Sequence, residues 1–210
     1  MASLTECLVV DPKGGIMRKH RMEVLGTNTV RVGAVSEGKT GELKTRAPLR
    51  LWLEGYHTPS LNVTTGGHWK QYHGLKQAAA RALLEALKGR ADVPAKVLLV
   101  VDALAQGGRL GKRGELIRLA AKQEAARAKK AAQVTALTGV TVLTFTRVTC
   151  RPLDVENFCG STKALTDCLR LAFPDRLPDD APEFVEIRHV QVRCGKRCEE
   201  GTWVSLLRRE

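Results

Sequence analysis

Between Val140 and Arg193 the residue pattern changes period twice, and that alternation limits the folds open to the chain. Val140-Thr141-Val142-Leu143-Thr144-Phe145-Thr146-Arg147-Val148 is rich in β-branched residues and alternates with period two, as a strand does. Lys163–Phe173 instead places Leu165, Leu169 and Ala172 on one side of a helix, with Ser161 or Thr162 as its cap and Pro174 as its stop. Glu183–Arg193 returns to alternation through Val185, Ile187, Val190 and Val192. Strand, helix and strand in succession exclude an all-helical and an all-β protein. The expectation is an α/β or α+β fold, a small mixed sheet with helices.

Leu49–Gly55 alternates as a strand and stops at the turn-formers Pro59 and Asn62. From His68 to Leu87 the apolar residues recur at three- and four-residue spacing, which predicts a helix broken by Gly89 and Pro94. Val97–Leu104 is apolar and reads equally as a short strand or as a helix starting near Asp92-Val93-Pro94. After a break at Gly107-Gly108, Glu115–Ala136 is dominated by strong helix formers. Beyond Arg193, a turn over Gly195–Gly201 and an apolar return over Thr202–Leu207 predict a C-terminal hairpin. The reading is one domain over 48–210, with a basic helical segment around 89–136. An extension over 1–47 holds short apolar pieces, Leu8-Val9-Val10 and Val30-Arg31-Val32, and is expected to be partly β or mobile.

The net charge of +12 and a pI near 9.8 point to a polyanionic partner, nucleic acid first. Aromatic residues make up 4% of the chain, too few for base-stacking platforms of the single-strand-binding kind. No apolar run approaches the ~20 residues of a membrane span, and the start MASLTECLVVDPKGG lacks the pattern of a secretory signal. The six cysteines show no framework spacing and read as reduced thiols of a cytoplasmic protein.

Against that basic background, residues 151–187 hold eight acids and four bases, a net −4. A chain that attracts polyanions and reserves one site for carboxylates can hold a phosphodiester together with a divalent metal. Asp154 and Glu156 stand two apart at the end of a predicted strand, where residues i and i+2 share a face and can meet one ion. Mg²⁺ prefers such hard oxygen ligands, and Asp179-Asp180 can supply a third carboxylate. Lys163, at the predicted helix start, can aim its ammonium at a phosphate or a leaving oxygen. The plain alternative is a set of solvated turn acids.

Asp154-Val155-Glu156-Asn157, then Lys163-Ala164-Leu165-Thr166-Asp167, then Pro178-Asp179-Asp180-Ala181-Pro182 resembles the RusA-type Holliday junction resolvases, in their phage-like branch. Pro59-Ser60-Leu61-Asn62, His68-Trp69 and Gly201-Thr202-Trp203-Val204 resemble further parts of that family, so the likeness spans roughly 48–207. It implies a Mg²⁺-dependent endonuclease, with Mn²⁺ as a substitute, that cuts branched DNA as a homodimer. By position it implies metal ligands at Asp154, Glu156 and Asp180 and a catalytic lysine at Lys163. Asn157, Asp167 and Asp179 would support them, and Asn62, His68 and Lys70 would lie against DNA. Three departures are visible: Glu156 stands where the family has aspartate, Lys163 follows it by seven residues, a longer gap than in the bacterial form, and the segment from Gly89 to Ala136 is longer than a minimal resolvase needs.

Residues 107–135 hold eight bases and two acids, net +6. Arg109, Lys112, Arg113, Arg118 and Lys122 read as a rail for the phosphate backbone, or as a solvated helix face. Cys194 and Cys198 with His189 make three candidate zinc ligands where a structural site uses four, so they read as neighbours across the hairpin and zinc is not expected. Gly107–Arg113 lacks P-loop spacing, which excludes nucleotide binding there. A nucleic-acid binder that keeps the fold without turnover is the rival functional reading, and a basic protein packed on RNA is a third.

Overall fold

The computed structural model describes residues 23–29, 48–58, 69–134 and 140–208, with backbone only for 23–29, 69–71, 134, 155–156 and 208. Five strands form one sheet: β1 (Glu23–Thr29), β2 (Leu49–Glu54), β3 (Thr141–Thr149), β4 (Val185–Arg193) and β5 (Gly201–Arg208), in the order β1-β4-β3-β5-β2. The helices are α1 (Trp69–Leu87), α2 (Ala95–Gln106), α3 (Gly111–Val134), α4 (Val155–Ser161) and α5 (Lys163–Ala172). The sheet is mixed, since β3 and β4 run parallel while β3–β5, β2–β5 and β1–β4 are antiparallel. The expected α+β class is what forms.

Register decides which face becomes the core. Leu51, Val204, Phe145 and His189 lie in one row across β2, β5, β3 and β4. Two or four residues along the same strands, Leu49, Leu53, Leu143, Val185 and Leu206 share that face and pack with Ala79, Ala80, Leu83, Val101, Leu165 and Leu169 from the helices. On the opposite face Trp52 and Trp203 are direct partners with ring centroids 5.0 Å apart. Gly201 has no room for a side chain, because a Cβ there would come within 2.5 Å of the Trp52 ring and 2.7 Å of the Leu53 carbonyl oxygen.

One open alternative is decided and two sequence expectations change. Val97–Leu104 is helical, since Val97, Val101, Leu104 and Ala105 recur at helical spacing and all are buried. The C-terminal hairpin does not form: β5 pairs with β3 and β2, and β3 lies between it and β4. Most of β3 is buried on both faces, so it takes the centre and the link 194–200 passes over its end, held by the Cys194 N–H on the Thr149 oxygen at 3.1 Å. The side-chain cap expected for α5 is not there either. Thr162 has helical φ and ψ because α4 runs on into α5, and the Ser161 and Thr162 hydroxyls donate back to Phe158 and Cys159 carbonyls. Of the first 47 residues β1 is described, as an edge strand on β4; Leu8–Val10 and Val30–Val32 lie outside the described residues. Among the described residues no helix is long and apolar enough to cross a membrane.

Candidate active site

The parallel β3–β4 pair needs a crossover, and the crossover carries the acidic island. After β3 the chain is clamped by Gln191, whose side chain accepts from Leu153 N at 2.9 Å and donates to the Leu153 carbonyl at 2.7 Å. Asp154 follows as the N-cap of α4, extended at φ −62°, ψ 161°. Its carboxylate accepts from the Asn157 N–H at 2.8 Å and from the Asn157 side-chain amide. Those bonds hold the Asp154 carboxyl below its usual range, so the exposed group is ionised. This corrects the strand-end geometry expected for Asp154 and Glu156. The strand stops at Thr149, Asp154 caps a helix and Glu156 lies in its first turn, so the two do not stand on one face of a strand. The Glu156 side chain lies outside the described residues.

On α5, Lys163, Asp167 and Arg170 recur at i, i+4 and i+7 and form its polar face, while Ala164, Leu165, Cys168 and Leu169 are buried. Lys163 Nζ pairs with Asp180 and lies 3.2 Å from Asp167 Oδ1. The other Asp167 oxygen accepts from Tyr72 OH at 2.6 Å and from Lys76 Nζ at 3.2 Å, both on α1. Arg170 donates to Asp179 at 2.9 Å and stands 4.0 Å from Asp180, and Lys129 of α3 pairs with Asp179. The site is therefore one network of alternating charge drawn from α1, α3, α5 and the loop before β4.

Burial pushes the Asp167 carboxyl up, but the Tyr72 hydroxyl, Lys76 and Lys163 outweigh it and leave it below the usual carboxylate range. Burial likewise works against the Lys163 ammonium, and Asp180 and Asp167 overcome it, raising the Lys163 pKa and keeping the cation. Asp179 follows the same rule, with hydrogen bonds from Lys129, the Asp180 N–H and Arg170 overriding its burial. Of the expected residues, Lys163, Asp167, Asp179 and Asp180 come together. Asp154 and Asn157 bond each other and, among the described residues, share no hydrogen bond or ion pair with that network. Sequence reasoning missed Tyr72, Lys76, Lys129 and Arg170. The available signal was Tyr72 and Lys76, polar at i and i+4 on a helix whose packed residues are Ala and Leu.

His189 lies beneath the network, between the Phe145 and Phe158 rings at centroid distances of 5.8 and 5.1 Å. Thr162 Oγ1 is 3.0 Å from its Nε2 and Cys159 Sγ 3.6 Å from its Nδ1. Burial without an anionic partner lowers its pKa from 6.5 to about 4. The unfolded chain then takes up this proton first, so the contribution is complete above pH 6.5 and is lost as pH falls from about 6.5 towards about 4. The loss at the acid end is about 2–3 kcal/mol. Urea unfolding at pH 7 and pH 4.5 checks it, with His189→Gln expected to flatten the pH slope. Equal slopes for the two proteins would rule this origin out.

Along α3, Lys112, Arg113 and Lys122 are exposed, as is Arg109 in the 3₁₀ turn before it, and Leu116 and Leu119 are exposed among them. Arg118 is half-buried and bonded within the fold. Its guanidinium donates to the Ala103 oxygen at 3.1 Å and to the Gly107 oxygen, meeting carbonyls that the end of α2 leaves without helical partners. Asn62 and His68 lie outside the described residues, as does the Lys70 side chain. Cys198 is exposed, and the sulfur beside Cys194 belongs to Cys150, 3.4 Å away, because β3 rather than a hairpin partner borders β4. The fold and site together define an α+β protein with a crossover-borne charge network. No family model, curated protein or solved structure matches the chain.

Proposed function

We propose that the protein is a Mg²⁺-dependent endonuclease for branched DNA, of the kind its RusA-type motifs imply, acting as a homodimer in the cytoplasm of a bacterial or phage-infected cell. The observation that carries this reading is the meeting of Lys163 with Asp167 and Asp180, which joins motif pieces 17 residues apart into one cluster. The net charge of +12 and the exposed Arg109, Lys112, Arg113 and Lys122 support a polyanionic substrate.

The donor chemistry fits Mg²⁺. Asp154 offers an ionised, exposed carboxylate, Asp180 a partly exposed one, and both are hard oxygen ligands. Asp154, Glu156 and Asp180 would hold the ion, which supplies Lewis-acid polarisation of a phosphate and an acidified water. The remaining work falls to the chain itself. Asn157 orients the Asp154 carboxylate. Lys163, with its side chain 53% exposed, presents a cation to the phosphate or the departing oxygen. Tyr72 and Lys76 fix Asp167, and Asp167 restrains Lys163. Two such sites related by a two-fold axis suit a four-way junction.

The engagement of Asp154 by Asn157 and of Asp180 by Lys163 favours the second reading, a binder that does not cut. One experiment separates them: a labelled four-way junction beside linear duplex, in Mg²⁺ and in EDTA. Paired, metal-dependent nicks on the junction alone are the expected result. Junction binding without cleavage in both Mg²⁺ and Mn²⁺ would establish the binder instead.

A further inference from the structure

At the end of the sheet where β3 and β4 finish, four neighbouring strands each deliver one metal-binding side chain. Cys150 is the residue after β3 and Cys194 the residue after β4. Thr149 and Arg193, the last residues of those strands, are parallel register partners, so the two thiols leave side by side, 3.4 Å apart. Glu200 stands just before β5, whose first residue Gly201 pairs with Val148 of β3 and Glu54 of β2. The ligand atoms of Cys150, Cys194 and Glu200 all lie within 4.8 Å of one another. His57, three residues past β2, brings Nε2 to 3.6 Å from Glu200 Oε2.

The spacing of Cys150, Cys194 and Glu200 is that of three members of a first coordination sphere. Around a tetrahedral ion with Zn–S near 2.3 Å, two thiolates stand ~3.8 Å apart, and an imidazole nitrogen and a carboxylate oxygen ~3.4 Å apart. The 3.4 Å between the sulfurs needs only a small adjustment, whereas His57, 3.6 Å from Glu200, stands outside that cluster of three and has to turn towards the sulfurs. The His57 side chain is 44% exposed and free to swing in as the fourth ligand. The supporting bonds are also present. Glu200 Oε1 accepts from Cys150 N at 2.7 Å and from Thr149 Oγ1 at 3.0 Å, leaving Oε2 for the ion. Gly55 N bonds the Glu200 carbonyl at 3.0 Å and ties the end of β2 to the same point.

We propose that Cys150, Cys194, Glu200 and His57 form a structural site for a thiophilic divalent cation of the zinc type. It differs from the set considered from sequence, since Cys198 and His189 take no part. The soft sulfur pair separates it from the carboxylates proposed for Mg²⁺. A metal here fixes four strand ends and the start of the segment leading to Asp154, and the site stands whether or not the protein cuts DNA.

Co²⁺ titration of the full-length, reduced, chelator-treated protein tests it. One equivalent is expected to give thiolate-to-cobalt charge-transfer absorption with tetrahedral d–d intensity, reversed by Zn²⁺. The band should vanish in Cys150→Ser and in Cys194→Ser, survive in Cys198→Ser, and need at least ~10-fold more metal in His57→Ala. Thiol counting covers the case in which a serine variant fails to fold: Zn²⁺ should shield two of the six cysteines of the unaltered protein from a thiol reagent. No band and no shielding in the reduced protein, or a band that persists without Cys150 and Cys194, would overturn the site. Recovery of a Cys150–Cys194 disulfide from a reduced sample that takes up no metal would assign the pair to redox chemistry instead.

Discussion

Asp180→Asn is expected to lower junction cleavage by about 10³-fold while junction affinity stays equal or rises. The substitution keeps the shape of the side chain and removes the charge that pairs with Lys163 and faces Arg170 at 4.0 Å. The proposed ion loses a ligand and Lys163 loses one of its two anionic partners. DNA binding loses nothing, because the protein becomes one unit more positive. Asp179→Asn is the informative control. Asp179 is buried against Arg170 and Lys129, so its loss should lower the unfolding midpoint while folded protein still cuts. Lys163→Met should lie between them, about 10²-fold slower. Single-turnover rates at saturating protein read all three. Equal cleavage by Asp180→Asn and the unaltered chain, or a loss of binding in place of cleavage, would remove Asp180 from the site.

Phe145→Ala is expected to destabilise the protein by about 3–5 kcal/mol, a large part of the 5–15 kcal/mol typical of a domain. Phe145 is fully buried on the central strand, in the row with Leu51, Val204 and His189, and its ring stacks on that histidine. Truncation opens a cavity between sheet and helices where neither side can collapse easily, since β3 is held by strands on both edges. Phe145→Leu should cost about 1–1.5 kcal/mol. Urea midpoints at constant m-value give both figures. A cost below about 1 kcal/mol for the alanine variant would mean that this row is not the packed centre.

The strands at 49, 141 and 185 and the helices at 69, 111 and 163 were legible because alternation and the three-four spacing are local properties. Val97–Leu104 stayed ambiguous because a run whose one polar residue is Asp102 has no clear face until something packs on it, here α1 and α3. The hairpin expected at the C-terminus failed for a related reason. Periodicity identifies a strand but not its partner, and β3, the most buried strand, separated β4 from β5. At Asp154 and Glu156 the strand period was carried a few residues too far, into a segment where Asp154 caps a helix.

Charge tells the same story at the site. The acidic island and Lys163 were visible in the sequence, because composition is written there directly. Their partners were not: Tyr72 and Lys76 reach Asp167 across 95 and 91 residues, and Lys129 arrives from α3. Arg118 looked like part of a phosphate rail until the end of α2 supplied carbonyls for it. By itself, then, the sequence determined most of the element types, the basic composition and the carboxylate set, all of which depend on near neighbours. The tertiary structure alone decided the strand order, the pairing of those charges, and the convergence of Cys150, Cys194, Glu200 and His57. These depend on which strand ends become neighbours, and that is settled by burial of the whole sheet rather than by any one segment.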